Sequence, residues 1–155
     1  LTEAVMLFGT SLALVQYSSL SNNSNDTNSK RLTWQMSGVN ALFTFLALLV
    51  LCCIPKQAYI LLFGEGFGEI RSVIRMLSAG IMLLSISSNF TQYLFSRGNF
   101  KISTIASLAG LLATLLLGFL LIPRYGISGA AITATVSYTI TFAIEFYGFL
   151  KWRTK

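Results

Sequence analysis

The stretch that decides the fold is MSGVNALFTFLALLVLCCI, residues 36–54. Its 19 residues carry no charge, and as an α-helix they would measure roughly 28 Å at 1.5 Å per residue. That length matches a hydrocarbon core about 30 Å thick, where the backbone must satisfy its hydrogen bonds within a helix. Similar segments follow at residues 76–95, 102–122 and 127–150, and a shorter, more polar one precedes them at residues 4–20. The sequence therefore predicts an all-α, polytopic transmembrane bundle of about five antiparallel helices.

The composition is that of a membrane protein. Of the 155 residues, 54% are hydrophobic and 10% are charged, and the mean hydropathy is +0.71. Soluble domains carry about a quarter charged residues, so a water-soluble enzyme, a nucleic-acid-binding domain and a disordered tail are excluded. The chain has no His, which is the commonest general base and metal ligand. Because the adjacent Cys52 and Cys53 point in different directions on a helix, we expect no disulfide between them, and two thiols alone do not make a metal site. With the usual catalytic groups lacking, we also expect no cofactor and no enzyme activity.

Three segments make up the predicted organisation. Residues 1–20 are expected to form a partial or polar transmembrane helix, and residues 21–35, which begin with SNNSNDTNSK, a polar loop. Residues 36–155 are expected to form a four-helix transmembrane region. Short turns at 97–99 and 123–126 make consecutive helices antiparallel neighbours. Since the chain begins at Leu1 without a basic leader, we expect it to be a piece of a longer polypeptide.

The basic residues predict an orientation in the membrane. Seven lie on one side of the predicted spans and four on the other. The first set is Lys30, Arg31, Arg97, Lys101, Lys151, Arg153 and Lys155, and the second is Lys56, Arg71, Arg75 and Arg124. Because cytoplasmic loops are enriched in Lys and Arg, the count predicts a multi-pass protein of the cytoplasmic membrane with a cytoplasmic C-terminus.

Polar side chains cluster on one face of the third predicted span. Ser85, Ser88, Asn89 and Gln92 recur at helical spacing, and an amide facing lipid would cost several kcal/mol. They are therefore expected to face other helices or water. Two interpretations stand: hydrogen bonds between helices, worth about 0.6 kcal/mol each, or a hydrophilic cavity that handles a polar solute.

Charged residues near the spans supply further candidates. Glu145 is the only acid within a span, which makes it a candidate for coupling an ion to transport; snorkelling to the surface or pairing with a basic neighbour explains it equally well. Arg71, Arg75 and Arg97 flank the third predicted span. They serve either as interfacial anchors or as groups that attract an anionic substrate, because Arg binds phosphate bidentately.

Small residues recur every three or four positions along the last two predicted spans. Such spacing lets helix backbones approach closely, so these helices are expected to need partners. The residues are Ser103, Ser107, Gly110, Thr114 and Gly118 in one span, and Gly129, Thr133, Ser137 and Thr141 in the next.

Three motifs in fixed order carry a family resemblance: LLFGEGF at 61–67, YLFSRGNFK at 93–101 and LIPRYGISGAAITATVSY at 121–138. Together they resemble the C-terminal half of polysaccharide flippases, within the multidrug/oligosaccharidyl-lipid/polysaccharide exporter superfamily. The resemblance implies that residues 36–155 correspond to the polysaccharide biosynthesis C-terminal domain. It further implies that the helices form most of one lobe of a two-lobe transporter, whose N-terminal lobe lies elsewhere in the polypeptide.

The function that this resemblance implies is alternating-access transport of a polyprenyl-linked oligosaccharide. The expected partners are the lipid bilayer, the N-terminal lobe and the lipid-linked substrate, with no nucleic acid. Alternatives are a multidrug or cation antiporter of the same superfamily, a membrane-embedded glycosyltransferase or acyltransferase, and a non-transporting scaffold.

Overall fold

A computed structural model describes residues 2–21, 26–55, 57 and 70–151. Over these residues the protein is all-helical, with four helices and no strand. They are α1 (Thr2–Ser21), α2 (Asp26–Cys53), α3 (Ile70–Ser96) and α4 (Phe100–Lys151). Three of the described helices, α2, α3 and α4, are long and apolar enough to cross a membrane. The predicted membrane-helix class is confirmed; the predicted number of helices is not.

The difference in number arises in α4. Its 52 residues take in both of the last two predicted spans, and a straight helix of that length would measure about 78 Å. At Gly126 the backbone leaves helical geometry, with φ 56° and ψ −130°. We call residues 100–125 the first arm and residues 127–151 the second arm. Thr114 on the first arm donates to Ser137 on the second at 2.8 Å, so the arms fold back against each other as a hairpin.

The predicted polar loop over 21–35 is wrong for most of its length. Ser21 ends α1, and α2 begins at Asp26; residues 22–25 lie outside the described residues. Polarity was a poor guide because polar side chains in the first part of α2 have partners inside the bundle. Ser29 and Thr33 are both buried, and Gln16 of α1 donates to Thr33 at 3.1 Å.

The turn between α3 and α4 is the tight turn that the sequence predicts. Gly98 has a φ of 71°, and its N–H donates to the Phe95 carbonyl at 2.9 Å. The Asn99 N–H donates to the Leu94 carbonyl at 2.9 Å. These two bonds are the pattern of a glycine C-cap, which satisfies the carbonyls at the end of α3 and lets α4 start immediately.

Helix α3 is the centre of the bundle, because it contacts α1, α2 and α4. At the end of α3, Phe90 and Tyr93 form an apolar core with Leu20 of α1 and Phe149 of the second arm. Closer to the start of α3, Gly80 lies where an added Cβ would be 2.8 Å from the Thr135 backbone. This contact lies outside the two predicted sets of small residues; within them, a Cβ added to Gly110 would lie 2.5 Å from Thr141 Oγ1.

The surface around this bundle is apolar, and much of its interior is polar. Leu116 and Phe119 on the first arm are exposed, Phe119 to 81%. Buried side chains include Gln16, Asn40, Thr44 and Asn89. This distribution suits a protein whose solvent is lipid, where polar groups must find partners inside.

Candidate functional site

A polar cavity of about 280 Å³ opens between α3 and the two arms of α4. Eight of the nine described lining residues carry a hydroxyl, amide or carboxyl group. The lining residues are Leu84, Ser85, Ser87, Ser88, Thr91, Gln92, Ser107, Thr141 and Glu145. Such a cavity inside membrane-spanning helices offers many hydrogen-bonding groups to a polar solute.

Glu145 is the only acid among the described lining residues, and it is 3% exposed. The Ser87 hydroxyl donates to its Oε2, and the Thr91 hydroxyl lies 2.7 Å from its Oε1. The carboxylate thus bonds to α3 inside the bundle. It neither snorkels to the surface nor pairs with a basic side chain in the part of the chain that the structure describes.

Three of the four predicted polar candidates on α3 line the cavity: Ser85, Ser88 and Gln92. Ser88 donates to the Ser85 carbonyl at 2.7 Å, so its lone pairs stay available to the cavity. Ser88 and Gln92 therefore lie at the cavity, and their role in handling a polar solute stays a prediction.

Ser85 also serves the other interpretation, hydrogen bonding between helices. Its hydroxyl donates to Asn40 Oδ1 at 3.0 Å and lies 2.7 Å from the Thr44 hydroxyl. Asn40 in turn donates to the Ser85 carbonyl at 2.9 Å. Ser85 therefore ties α3 to α2 at the edge of the cavity.

Asn89 does not line the cavity. It is fully buried, and its amide donates to the Ser85 carbonyl at 3.2 Å. Gln16 of α1 donates to the Asn89 carbonyl at 3.3 Å. The bond to α1 is thus made by the Asn89 backbone, while its side chain bonds to its own helix. Its placement as a cavity residue is corrected to a role in packing.

The predicted arginines are not brought to the cavity. Arg75 is exposed near the start of α3, whereas Arg97 follows its end, with its guanidinium 5.8 Å from the centre of the Tyr93 ring. Neither lines the cavity. Helix α3 thus separates these two cations, as expected of interfacial anchors. The Arg71 side chain lies outside the part of the chain that the structure describes.

The sequence analysis missed several polar side chains at or near the cavity. Ser87 and Thr91, the partners of Glu145, lie one turn apart on α3 and could have been found by that spacing. A second missed feature is a buried polar stripe on α2 whose members recur every three or four residues. It consists of Ser29, Thr33, Ser37, Asn40 and Thr44.

No described residues form a group of three or more His, Cys, Asp or Glu able to hold a metal ion. Cys52 is half-buried and Cys53 is exposed, and both are free thiols. The chemistry that the described cavity offers is hydrogen bonding together with one carboxylate.

Comparison with known proteins gives two partial relatives. The capsular polysaccharide biosynthesis protein CapF of Staphylococcus aureus is 33% identical over 91 residues, which cover 59% of this chain and 23% of CapF. The uncharacterized membrane protein YabM of Bacillus subtilis (strain 168) is 32% identical over 97 residues, 63% of this chain and 18% of YabM.

The chain therefore spans less than a quarter of the length of either relative. No family model matches the chain, and no solved structure matches it. The three apolar helices and the similarity to a membrane protein place the chain in a membrane.

Proposed function

We propose that this chain forms the C-terminal part of a flippase that moves a polyprenyl-linked oligosaccharide across the cytoplasmic membrane by alternating access. The observation that carries the proposal is the polar cavity between α3 and α4, set among helices with an apolar exterior. The similarity to a capsular polysaccharide biosynthesis protein supports a glycan substrate. The resemblance of the 93–101 and 121–138 motifs to polysaccharide flippases supports the same class.

The physical reason is the cost of moving a sugar through lipid. Its hydroxyls would lose their water partners, at several kcal/mol for each unpaired group. Ser88, Gln92 and Ser107 offer substitute partners inside the membrane. A volume of about 280 Å³ is just below the usual range for ligand pockets, roughly 300–1,000 Å³. The cavity suits part of a glycan head group, while the lipid tail stays in the bilayer.

The proposed partners and orientation follow from the same scheme. The bilayer surrounds the apolar exterior, and an N-terminal lobe of the same polypeptide completes the transport path. Five described basic residues lie at the end of the bundle where α2 begins and α4 both begins and ends: Lys30, Arg31, Arg97, Lys101 and Lys151. We propose that this end faces the cytoplasm.

The proposal is transport without bond chemistry, so the cavity groups act by binding and orienting. A second candidate, a multidrug or cation antiporter, is favoured by one specific observation. Glu145 gives the cavity a carboxylate, which would bind an organic cation as readily as its hydroxyls would bind a sugar.

The test is to replace Gln92 by Leu in the full polypeptide and to measure glycan export in cells that lack the native gene. Gln35→Leu, an exposed position on α2, is the matched control. We expect Gln92→Leu to lower export and Gln35→Leu to leave it unchanged, at equal amounts of protein in the membrane. Normal export by Gln92→Leu would contradict the cavity assignment. Transport of organic cations with no glycan export would favour the second candidate.

A further inference from the structure

The environment of Glu145 is unusual for a carboxylate within a membrane span. Glu145 is six residues before Lys151, or roughly 9 Å along the helix axis. Its oxygens bond to hydroxyls of α3, and Ser103 of the first arm is a third hydroxyl beside them. An intramembrane acid that faces the bundle interior is expensive and is by default a functional group.

Thr91 can hold this carboxyl group in two charge states. Its Oγ1 lies 2.7 Å from Glu145 Oε1 and 3.2 Å from the Ser87 carbonyl oxygen. A hydroxyl has one hydrogen to donate and two lone pairs to accept with. With Glu145 ionised, Thr91 donates to Oε1. With a proton on Oε1, Glu145 donates to Thr91, and Thr91 turns its hydrogen to the Ser87 carbonyl.

We propose that Glu145 is a proton-binding site that loads and unloads one proton from the cavity during transport. The proposal rests on the proposed transport function and names the ion that the same cavity exchanges. On loading, a proton from cavity water forms an O–H bond at Oε1, and one negative charge is neutralised. On unloading, that bond breaks and the proton returns to water. In each state the Thr91 hydrogen has an acceptor, Glu145 Oε1 when the carboxylate is ionised and the Ser87 carbonyl when it is protonated, and no heavy atom moves.

The geometry favours a proton over a metal cation. Hard cations such as Ca²⁺ and Mg²⁺ gather six or more oxygens around one point, whereas here each carboxylate oxygen already bonds directly to a different hydroxyl. The described groups facing Glu145 from α3 and the first arm are hydroxyls and an amide. The described charged residues of these elements do not line the cavity: Arg75, Arg97, Lys101, Arg124 and Lys151.

The test is infrared difference spectroscopy of the full polypeptide in liposomes as the pH is raised, with no substrate present. We expect a carboxylic-acid carbonyl band to be lost and a carboxylate band to appear, and we expect Glu145→Gln to lack this pair. Thr91→Val should shift the pH at which the acid band gives way to the carboxylate band, and Thr91→Ser should restore the wild-type value. Thr139→Val is the matched control. Thr139 is on the same arm as Glu145, and its hydroxyl donates only to its own helix, to the Thr135 carbonyl at 2.7 Å.

Three outcomes would overturn the proposal: identical spectra for wild type and Glu145→Gln, a titration that Thr91→Val and Thr139→Val shift equally, and a band that responds to Na⁺ at constant pH instead of to pH. If Glu145→Gln fails to fold, the spectra of Glu145→Asp are compared with wild type instead, and those of Thr91→Val are compared with Thr91→Ser. Since no glycan is needed, the spectra test proton binding whatever the export assay shows. The coupling itself is tested by a pH gradient, which should drive export by wild type and not by Glu145→Gln.

Discussion

The α4 hairpin makes a sharp prediction at Gly129, where the backbone of the second arm lies close to that of the first. A Cβ built on Gly129 would lie 2.4 Å from the Leu121 carbonyl oxygen and 2.7 Å from its carbonyl carbon. Both atoms are backbone, so no rotamer change relieves the clash. Restoring ordinary contact, near 3.5 Å, would force the arms roughly 1 Å apart. Overpacking of this kind costs about 1–3 kcal/mol, with the upper end expected here.

Gly118→Ala is the matched control, because its nearest atom is the flexible end of Ile122 at 3.6 Å. Alanine in place of helical glycine gains up to about 1 kcal/mol, and this gain applies to both variants. Gly129→Ala should therefore lose about 2 kcal/mol and Gly118→Ala should gain up to about 1 kcal/mol. The assay is unfolding by sodium dodecyl sulfate in mixed micelles, followed by circular dichroism. Equal free energies of unfolding for the two variants would refute the hairpin geometry.

Three further predictions use the same assay. Ser85→Ala removes the hydroxyl that joins α3 to α2 and should lower stability by about 1 kcal/mol, at about 0.6 kcal/mol per interhelical bond; an unchanged midpoint would contradict this role. Phe149→Ala, in the buried aromatic core, should cost about 3 kcal/mol, whereas Phe119→Ala on the exposed surface should cost far less. Gly98→Ala places a side chain at a φ of 71° with no neighbouring atom within 4 Å; it should cost about 1–2 kcal/mol from backbone strain alone, and a smaller loss would argue against this turn.

The sequence predicted the class of fold well, because charge-free stretches of span length are a strong physical constraint. The Gly98 turn was equally readable. Helical spacing also placed Gln92 and Ser88 on one polar face. It could not tell which part of that face is covered, and so Asn89 was assigned to the cavity, although it is fully buried and outside the cavity lining. The start of α2 was misjudged because Thr33 and Ser29 are polar yet buried, and their partners are distant in sequence.

The structure divides the polar groups of α3 into two sets that should respond differently to mutation. Toward α2, the Ser85 hydroxyl is engaged by Asn40 and Thr44 of the other helix. In the cavity, the Ser88 hydroxyl donates to the Ser85 carbonyl of its own helix at 2.7 Å. Its lone pairs therefore remain available to a ligand, and removing this hydroxyl breaks no bond between helices.

Substitutions toward α2 should lower stability while leaving substrate preference intact, and cavity substitutions should change transport at nearly constant stability. The two sets can be compared by removing one hydroxyl from each, with Thr44→Val against Ser88→Ala, because Thr44 bonds to Ser85 and does not line the cavity. If both variants moved stability and transport in the same proportion, the cavity would be an ordinary packing interface. The case for a polar transport path between α3 and α4 would then fail, whatever the similarity to polysaccharide biosynthesis proteins.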